Sequence, residues 1–210
     1  MSIVSRFHYI TQDVSGFSHP ELAMFACCGG AEWVQLRIKN KSFKEWLSIA
    51  KETQSVCKKY GAKLIINDHV GIAKEIEADG VHLGNEDMAP EEARKILGNN
   101  SIIGGSANTI EDIKRHAENG CDYVGIGPYR HTLTKEKLNP VLGLEGIKKI
   151  MEQRIHKNIS IPVIAIGGIR LENVKSLMKT GVRGIAVSSA INLSDSKTNE
   201  TKKFIMLCTG

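Results

Sequence analysis

The chain has 210 residues, and its 28 basic and 23 acidic side chains give a formal net charge of +5. It contains neither the basic stripe of a nucleic-acid-binding protein nor, with 5% aromatic residues, a stacking platform for single strands. A mild positive charge is instead compatible with small phosphorylated metabolites.

The cysteines and the hydropathy pattern bear on the compartment. The five cysteines are an odd number with no CxxC pair, which indicates neither a disulfide framework nor a zinc site. No apolar stretch typical of a signal peptide follows Met1, and no run reaches the length of a membrane span. We therefore expect a reduced, cytoplasmic protein that binds no membrane and no nucleic acid.

Eight apolar, β-branched runs predict strands. In chain order they are FHYIT, WVQLRIK, KLIINDH, GVHLGNED, SIIGGSANT, YVGIGP, PVIAIGG and GIAVSSA. Helical patterns are found at residues 18–28, 42–59, 70–77, 90–97, 109–118, 143–154 and 171–179. The second of these opens with a capping box formed by Ser42 and Glu45.

Alternating strands and helices predict an α/β fold with parallel strands and right-handed crossovers. Eight repeats favour closure into a (β/α)8 TIM barrel with eight parallel strands and outer helices. No linker interrupts the pattern, so we expect residues 1–210 to form a single TIM-barrel domain. Residues 192–210 have weak periodicity and predict a short or frayed last helix.

In such a barrel the C-terminal ends of the strands meet at one face, so polar residues there converge into one site. In WVQLRIK, alternation directs Gln35, Arg37 and Lys39 away from the apolar face and into the barrel or its mouth. Two cations in that position require compensating anions. The alternative is an exposed edge strand with its polar residues outward.

Oxygen-bearing side chains follow the next two strands. Asn67 and Asp68 end the third run, and Asp87 ends the fourth. Two carboxylates on adjacent loops suit Mg²⁺, which takes its remaining ligands from phosphate and water. Beside Arg37 and Lys39, we interpret this set as a Mg²⁺–pyrophosphate site. The alternative for Asp68 is that it only caps the following helix.

The fifth and sixth strands add further polar groups. Ser106 supplies a hydroxyl, unless it only caps the helix at 109–118. The segment GIGPYRHTLTK then carries two hydroxyls and a cation, from Thr132, Thr134 and Lys135, on a loop of the kind that closes over phosphates.

Glycines and serines end the last two strands. Gly167 and Gly168 end the seventh, and Ser188 and Ser189 end the eighth, where barrels of this class bind a phosphate through backbone N–H groups. The chain therefore has two predicted anion sites on one face. Two phosphorylated small molecules brought together indicate a transferase from which pyrophosphate leaves.

Three polar residues in or beside the strands are predicted to be structural. Asp79 and Asp122 precede strands, so we expect them to set turns at the opposite, N-terminal face. His82 faces the interior, and we expect a core histidine with satisfied hydrogen bonds.

From about Tyr9 to Ile191 the chain resembles the thiamine phosphate synthase (thiamine-phosphate pyrophosphorylase) family. The resemblance depends on VQLRIK, IINDH, ADGVHLGNED, IIGGSANT, DYVGIGPYRHTLTK, PVIAIGGI and GIAVSSAI, in the family's order and spacing. It implies that aminohydroxymethylpyrimidine diphosphate and a thiazole phosphate are joined into thiamine phosphate and pyrophosphate. It also implies that pyrophosphate leaves first, giving a pyrimidine-methyl cation that the thiazole nitrogen captures.

The resemblance also implies a role for each matching residue. Gln35 contacts the pyrimidine; Arg37, Lys39, Asn67, Ser106 and Lys135 hold the pyrophosphate; Asp68 and Asp87 bind Mg²⁺; Thr132, Thr134, Gly168 and Ser189 hold the thiazole phosphate. Charge developing on the leaving group is stabilised by Arg37, Lys39, Ser106 and Lys135, which are the expected catalytic residues.

The chain departs from the family pattern at His131, where proline is frequent, and at Asn85, where glutamine is frequent. Alternative functions are a thiazole tautomerase of the same fold, another phosphate-binding barrel enzyme such as one from tryptophan biosynthesis, and a catalytically silent thiamine-phosphate binder. The sequence leaves open whether the chain forms a homo-oligomer and whether it prefers the thiazole phosphate or its carboxylated precursor.

Overall fold

The computed structural model describes residues 4–131 and 140–209. Its strands form a closed parallel barrel in sequence order, with the last strand paired to the first. The strands are β1 (Phe7–Ile10), β2 (Trp33–Leu36), β3 (Lys63–Asn67), β4 (Gly80–Leu83), β5 (Ile102–Ala107), β6 (Tyr123–Ile126), β7 (Val163–Ile166) and β8 (Gly184–Val187). The predicted (β/α)8 TIM-barrel fold is confirmed.

Helices follow the strands around the barrel. They are α1 (His19–Cys28), α2 (Phe43–Tyr60), α3 (Val70–Glu75), α4 (Pro90–Leu97), α5 (Ile110–Glu118), α6 (Gly143–His156), α7 (Leu171–Met178), α8 (Ser189–Asn192) and α9 (Lys197–Thr209). The predicted capping box is present, since Ser42 Oγ accepts from Glu45 N at 3.3 Å and Glu45 Oε2 accepts from Ser42 N at 3.0 Å. Within the described ranges, no helix combines the length and apolarity that a bilayer span requires.

The prediction of a short or frayed last helix is wrong. After the four-residue α8, helix α9 runs for 13 residues and packs against α1 and α7. Its buried side chains are Thr201, Phe204 and Cys208, and the ring of Phe204 stacks on Phe7 at 6.3 Å. The helical spacing of this face is regular, but threonine and cysteine give it little hydrophobic contrast.

Replacing Phe204 tests the anchoring of α9. Phe204 is fully buried, so Phe204→Leu is expected to lower the free energy of unfolding by about 1–2 kcal/mol, measured by urea denaturation. Met206 lies on the same helix but is 71% exposed, and Met206→Leu is expected to change stability by less than about 0.5 kcal/mol. Equal effects of the two changes would contradict the packing of α9.

The barrel wall separates two apolar layers, one inside the barrel and one outside it. The inner layer fills the barrel and includes Trp33, Ile65 and Tyr123, whereas the outer layer lies between strands and helices. Val34 belongs to the outer layer and Gln35 is buried as its neighbour in β2, as the alternation predicts. Because β2 pairs with both β1 and β3, the edge-strand alternative is wrong.

At the N-terminal face of the barrel, the two aspartates predicted to be structural bond to neighbouring strands. Asp79 accepts a hydrogen bond from Leu64 N at 2.8 Å, and Asp122 accepts one from Ile103 N at 2.7 Å. Each carboxylate thus connects the start of its own strand to the neighbouring strand, Asp79 joining β4 to β3 and Asp122 joining β6 to β5. Arg94 Nη2 adds an ion pair to Asp122 at 2.8 Å. These hydrogen bonds account for both carboxylates without a role in chemistry.

Candidate active site

Strand β2 delivers the first polar residues to the C-terminal mouth. Gln35 is 4% exposed inside the barrel, while Arg37 and Lys39 are half-buried just beyond the strand. The hydroxyl of Thr11, which follows β1, accepts from Arg37 N at 3.1 Å and lies 2.9 Å from His19 Nδ1. The β1 loop therefore fixes the path of the β2 loop and holds the two cationic residues at the mouth.

Strand β3 delivers Asn67 and Asp68. Asn67 is half-buried as the last residue of the strand, and Asp68 is exposed with a left-handed φ of 63°. The backbone N–H of Asp68 donates to His82 O at 2.8 Å, which holds the turn against β4. The cap of α3 is His69, whose Nδ1 accepts from Ile72 N at 3.3 Å. The alternative that Asp68 serves as the helix cap is therefore wrong.

Asp87 lies in the loop that follows β4. Its carboxylate is exposed, and Oδ2 accepts from Gly84 N at 2.6 Å, which folds the loop back onto the end of the strand. Asn85, in the same loop, accepts from Arg115 Nη2 at 3.2 Å. Asp87 thus follows β4, and Asp68 follows the neighbouring strand β3.

Ser106 lies within β5, and its side chain is half-buried in the upper part of the barrel. The cap of α5 is Thr109, whose hydroxyl accepts from Asp112 N at 3.1 Å. The capping alternative for Ser106 is therefore wrong. The backbone carbonyl of Ser106 lies 2.8 Å from His116 Nε2, which anchors this part of the strand from the outside.

The glycine turn after β7 packs tightly on the loop after β6. Gly167 and Gly168 have φ values of 96° and 66°, a region that disfavours side chains. A Cβ on Gly168 would lie 2.8 Å from Arg130 Cβ, and Arg130 N donates to Gly167 O at 2.9 Å. Only glycine therefore allows this close approach of the two loops.

The two serines after β8 have different surroundings. Ser188 Oγ donates to Gln12 Oε1 at 3.0 Å and accepts from Asn192 Nδ2 at 3.1 Å. Its hydroxyl is therefore committed to bonds between the β1 and β8 loops. Ser189 begins α8 and is half-buried. Of the two hydroxyls, that of Ser189 is the better candidate for a ligand.

Three of the predicted site residues, Thr132, Thr134 and Lys135, lie outside the described residues. The remaining predicted residues lie in or just after the C-terminal halves of β2, β3, β4, β5, β7 and β8, at the same end of a closed barrel. Their convergence at the C-terminal mouth follows from the topology.

The donor set at the mouth fits Mg²⁺ held together with a substrate. Asp68 and Asp87 supply hard carboxylate oxygens from neighbouring loops, and Asn67 adds an amide oxygen. Among the described residues, no group of three or more His, Cys, Asp or Glu side chains forms a site built from protein alone. Two carboxylates suit Mg²⁺, because this ion usually completes its shell with water and phosphate oxygens.

Several residues that organise the site were predicted to be structural or were not predicted at all. His82 was expected to be a satisfied core histidine, and its Nδ1 and Nε2 do lie 3.1 Å from Tyr123 Oη and 3.1 Å from Ser106 Oγ. Asn192 joins the loops after β1 and β8, since its Nδ2 donates to Ile10 O at 2.9 Å. The pattern after β8 gave no sign of this contact, because the two partners are distant in sequence.

Burial controls the protonation of the barrel interior. Burial lowers the pKa of His8 to about 3, against a weaker opposing effect of the hydrogen bond that Nε2 donates to the Ser5 carbonyl. Burial also raises the pKa of the Tyr123 hydroxyl, while the Gln35 side chain acts in the opposite direction through a hydrogen bond. His8 and Tyr123 are therefore neutral near pH 7.

A closed parallel barrel with cations, carboxylates and glycine turns gathered at its C-terminal mouth defines a phosphate-handling (β/α)8-barrel enzyme. A family model described as thiamine monophosphate synthase matches residues 8–191. The chain therefore belongs to the thiamine monophosphate synthase family.

Individual relatives agree with the family. The thiamine-phosphate synthase of Phocaeicola vulgatus is 47% identical over 199 residues, which cover 95% of this chain and 96% of the relative. That of Bacteroides fragilis is 48% identical over 197 residues, covering 94% and 97%. The solved structure of thiamine phosphate pyrophosphorylase from Pyrococcus furiosus has a TM-score of 0.85 and 35% identity, over 97% of this chain and 95% of that chain.

Proposed function

We propose that this protein is a Mg²⁺-dependent thiamine-phosphate synthase. It joins aminohydroxymethylpyrimidine diphosphate to a thiazole phosphate, giving thiamine phosphate and releasing pyrophosphate. Family membership supports the reaction. The observation that carries the assignment of the site is the gathering of Arg37, Lys39, Asn67, Asp68 and Asp87 at one end of the barrel, after adjacent strands.

The pyrophosphate end of the site is proposed at β2 to β5. Arg37 and Lys39 approach from one side, and Ser106 offers a hydroxyl from the other. Asp68 and Asp87 would hold Mg²⁺, which neutralises charge on phosphate oxygens when bound. Lys135, which lies outside the described residues, is proposed as a further cation. These groups stabilise the leaving anion, where negative charge develops during the reaction.

The pyrimidine is proposed to lie over the barrel interior. Gln35 is the buried amide at that position, and burial keeps His8 and Tyr123 neutral in the same barrel. Neither of these two residues therefore places a charge beneath the pyrimidine-methyl cation, whose positive charge is delocalised through its own amino group. Closure of the mouth would keep water from this cation until the thiazole nitrogen attacks it.

The thiazole phosphate is proposed to lie at the turn after β7 and the start of α8. Gly168 leaves room for a close approach to the backbone, and Ser189 offers a hydroxyl. Ser188 contributes through its backbone, because its hydroxyl is bonded to Gln12. Thr132 and Thr134 are proposed to complete this phosphate site from the β6 loop.

A charge reversal tests the thiazole phosphate site. Ser189→Asp is expected to raise the KM for the thiazole phosphate by about 10- to 100-fold, since like charges brought together repel strongly. The KM for the pyrimidine diphosphate is expected to stay within about twofold of its original value. Steady-state kinetics with each substrate varied in turn provide the measurement.

Ser196→Asp is the matched control for this change. Ser196 is exposed and precedes α9, so the same added charge there is expected to leave both KM values within about twofold. An unaltered KM for the thiazole phosphate in Ser189→Asp would place that phosphate elsewhere.

The relatives name no metal, compartment or assembly. Magnesium dependence is therefore a proposal from the donor set, and a cytoplasmic location stays a prediction from the sequence. Small-molecule substrates follow from the family.

A further inference from the structure

A row of polar side chains, formed by Gln35, Tyr123, His82 and Ser106, crosses the barrel interior. His82 is its central member and is only 7% exposed. Its Nδ1 lies 3.1 Å from Tyr123 Oη, and its Nε2 lies 3.1 Å from Ser106 Oγ. The Gln35 side chain lies near enough to the Tyr123 hydroxyl to lower its pKa against the effect of burial. This row of side chains therefore joins Gln35, the proposed pyrimidine contact, to Ser106, the proposed pyrophosphate contact.

Glycines in the neighbouring strands make room for this arrangement. A Cβ on Gly104 would lie 2.2 Å from Tyr123 Cζ, and a Cβ on Gly125 would lie 3.3 Å from His82 Cε1. The two rings pack with centroids 5.4 Å apart. The imidazole is thus confined by packing as well as by hydrogen bonds, and both ring nitrogens keep a fixed direction.

The donors and acceptors of these side chains fit an order in which each proton has one acceptor. A tyrosine hydroxyl carries one proton, which it can donate to His82 Nδ1 at 3.1 Å. The imidazole then carries its own proton on Nε2 and donates it to Ser106 Oγ. The proton of the Ser106 hydroxyl is left to point towards a ligand.

We infer that His82 is a positioning residue that sets the direction of the Ser106 hydroxyl. The Nε2–H of His82 donates to one lone pair of the Ser106 oxygen from within the barrel. The Ser106 hydroxyl is thereby directed to donate its own proton towards the leaving pyrophosphate. His116 holds only the backbone carbonyl of Ser106, so the strand position and the hydroxyl direction have separate supports. This inference rests on the proposed function for the identity of the ligand.

A double-mutant cycle tests the coupling. Ser106→Ala and His82→Leu are each expected to lower kcat by about 10- to 100-fold, because a preoriented donor to the leaving anion is lost. Adding His82→Leu to Ser106→Ala is expected to cost less than about threefold more, since the histidine then has no hydroxyl to orient. A purely structural histidine would instead give losses that multiply.

Conservative and control variants sharpen the test. His82→Gln places an amide N–H near the former Nε2, and its kcat is expected to lie within about tenfold of the wild type. His156→Leu removes a histidine that is exposed at the end of α6, and is expected to change kcat by less than about twofold. Multiplying losses in the cycle, or a His82→Gln variant no better than His82→Leu, would overturn the inference.

A ¹⁵N NMR measurement tests the hydrogen-bond order without any substrate. The His82 ring is expected to be protonated on Nε2 and not on Nδ1, and Tyr123→Phe is expected to reduce that preference. Protonation on Nδ1 in the wild type would overturn the inference. A wild type that releases no pyrophosphate but shows the Nε2–H form would contradict the proposed function and support the order of the hydrogen bonds.

Discussion

Asp68→Asn is expected to lower kcat/KM by about 10²–10³-fold and to weaken the dependence on Mg²⁺, because one of two carboxylates at the proposed metal is lost. Asparagine tolerates the left-handed φ of 63° at this position, so the fold is expected to survive. Asp87→Asn is expected to act similarly, since its amide oxygen can still accept from Gly84 N. Pyrophosphate release over a range of Mg²⁺ concentrations provides the measurement.

Glu92→Gln is the matched control for the two aspartates. Glu92 is an exposed carboxylate on α4, and its replacement is expected to change kcat/KM by less than about twofold. Full activity with an unchanged Mg²⁺ requirement in Asp68→Asn or Asp87→Asn would remove that residue from the metal site.

Gly80→Ala is expected to lower the free energy of unfolding by about 3 kcal/mol or more. A Cβ at this position would lie 2.0 Å from Ile102 O and 2.7 Å from Ile102 C, both of which are backbone atoms. Relief of this clash requires β4 and β5 to separate, and these are the strands that carry His82 and Ser106. Urea unfolding followed by circular dichroism provides the measurement.

The control is a glycine with space around it. Gly71 lies within α3, and a Cβ there would lie 3.5 Å from His69 Cε1, an ordinary contact. Gly71→Ala is expected to stabilise the protein by up to about 1 kcal/mol, because alanine has the higher helix propensity. Equal stability of Gly80→Ala and the wild type would show that the β4–β5 contact is looser than described.

Local patterns were sufficient to predict the elements that position the site. The alternation in WVQLRIK separates Val34 from Gln35 across the strand, as predicted. The Ser42 and Glu45 pair identifies the start of α2 because both partners lie within one helical turn. Repetition of strand and helix then determines which ends of the strands meet, which brings the predicted site residues to one face.

Contacts between distant segments were beyond those patterns. Ser188 was predicted as a phosphate contact, but its hydroxyl donates to Gln12, which is far away in the sequence. Asp68 is a favoured cap by residue type and His69 is not, but the turn after β3 places His69 at the start of α3. Helix α9 was underestimated because Thr201, which is buried, lowers the hydrophobic contrast of its inner face.

The measurement that tests the central proposal most directly is release of pyrophosphate from the pyrimidine diphosphate. The wild-type protein is assayed with and without the thiazole phosphate, and with Mg²⁺ or with a chelator. We expect stoichiometric pyrophosphate and thiamine phosphate only when both substrates and Mg²⁺ are present. Binding of both substrates without any release of pyrophosphate would contradict the synthase assignment, and release that persists in the chelator would contradict the metal site.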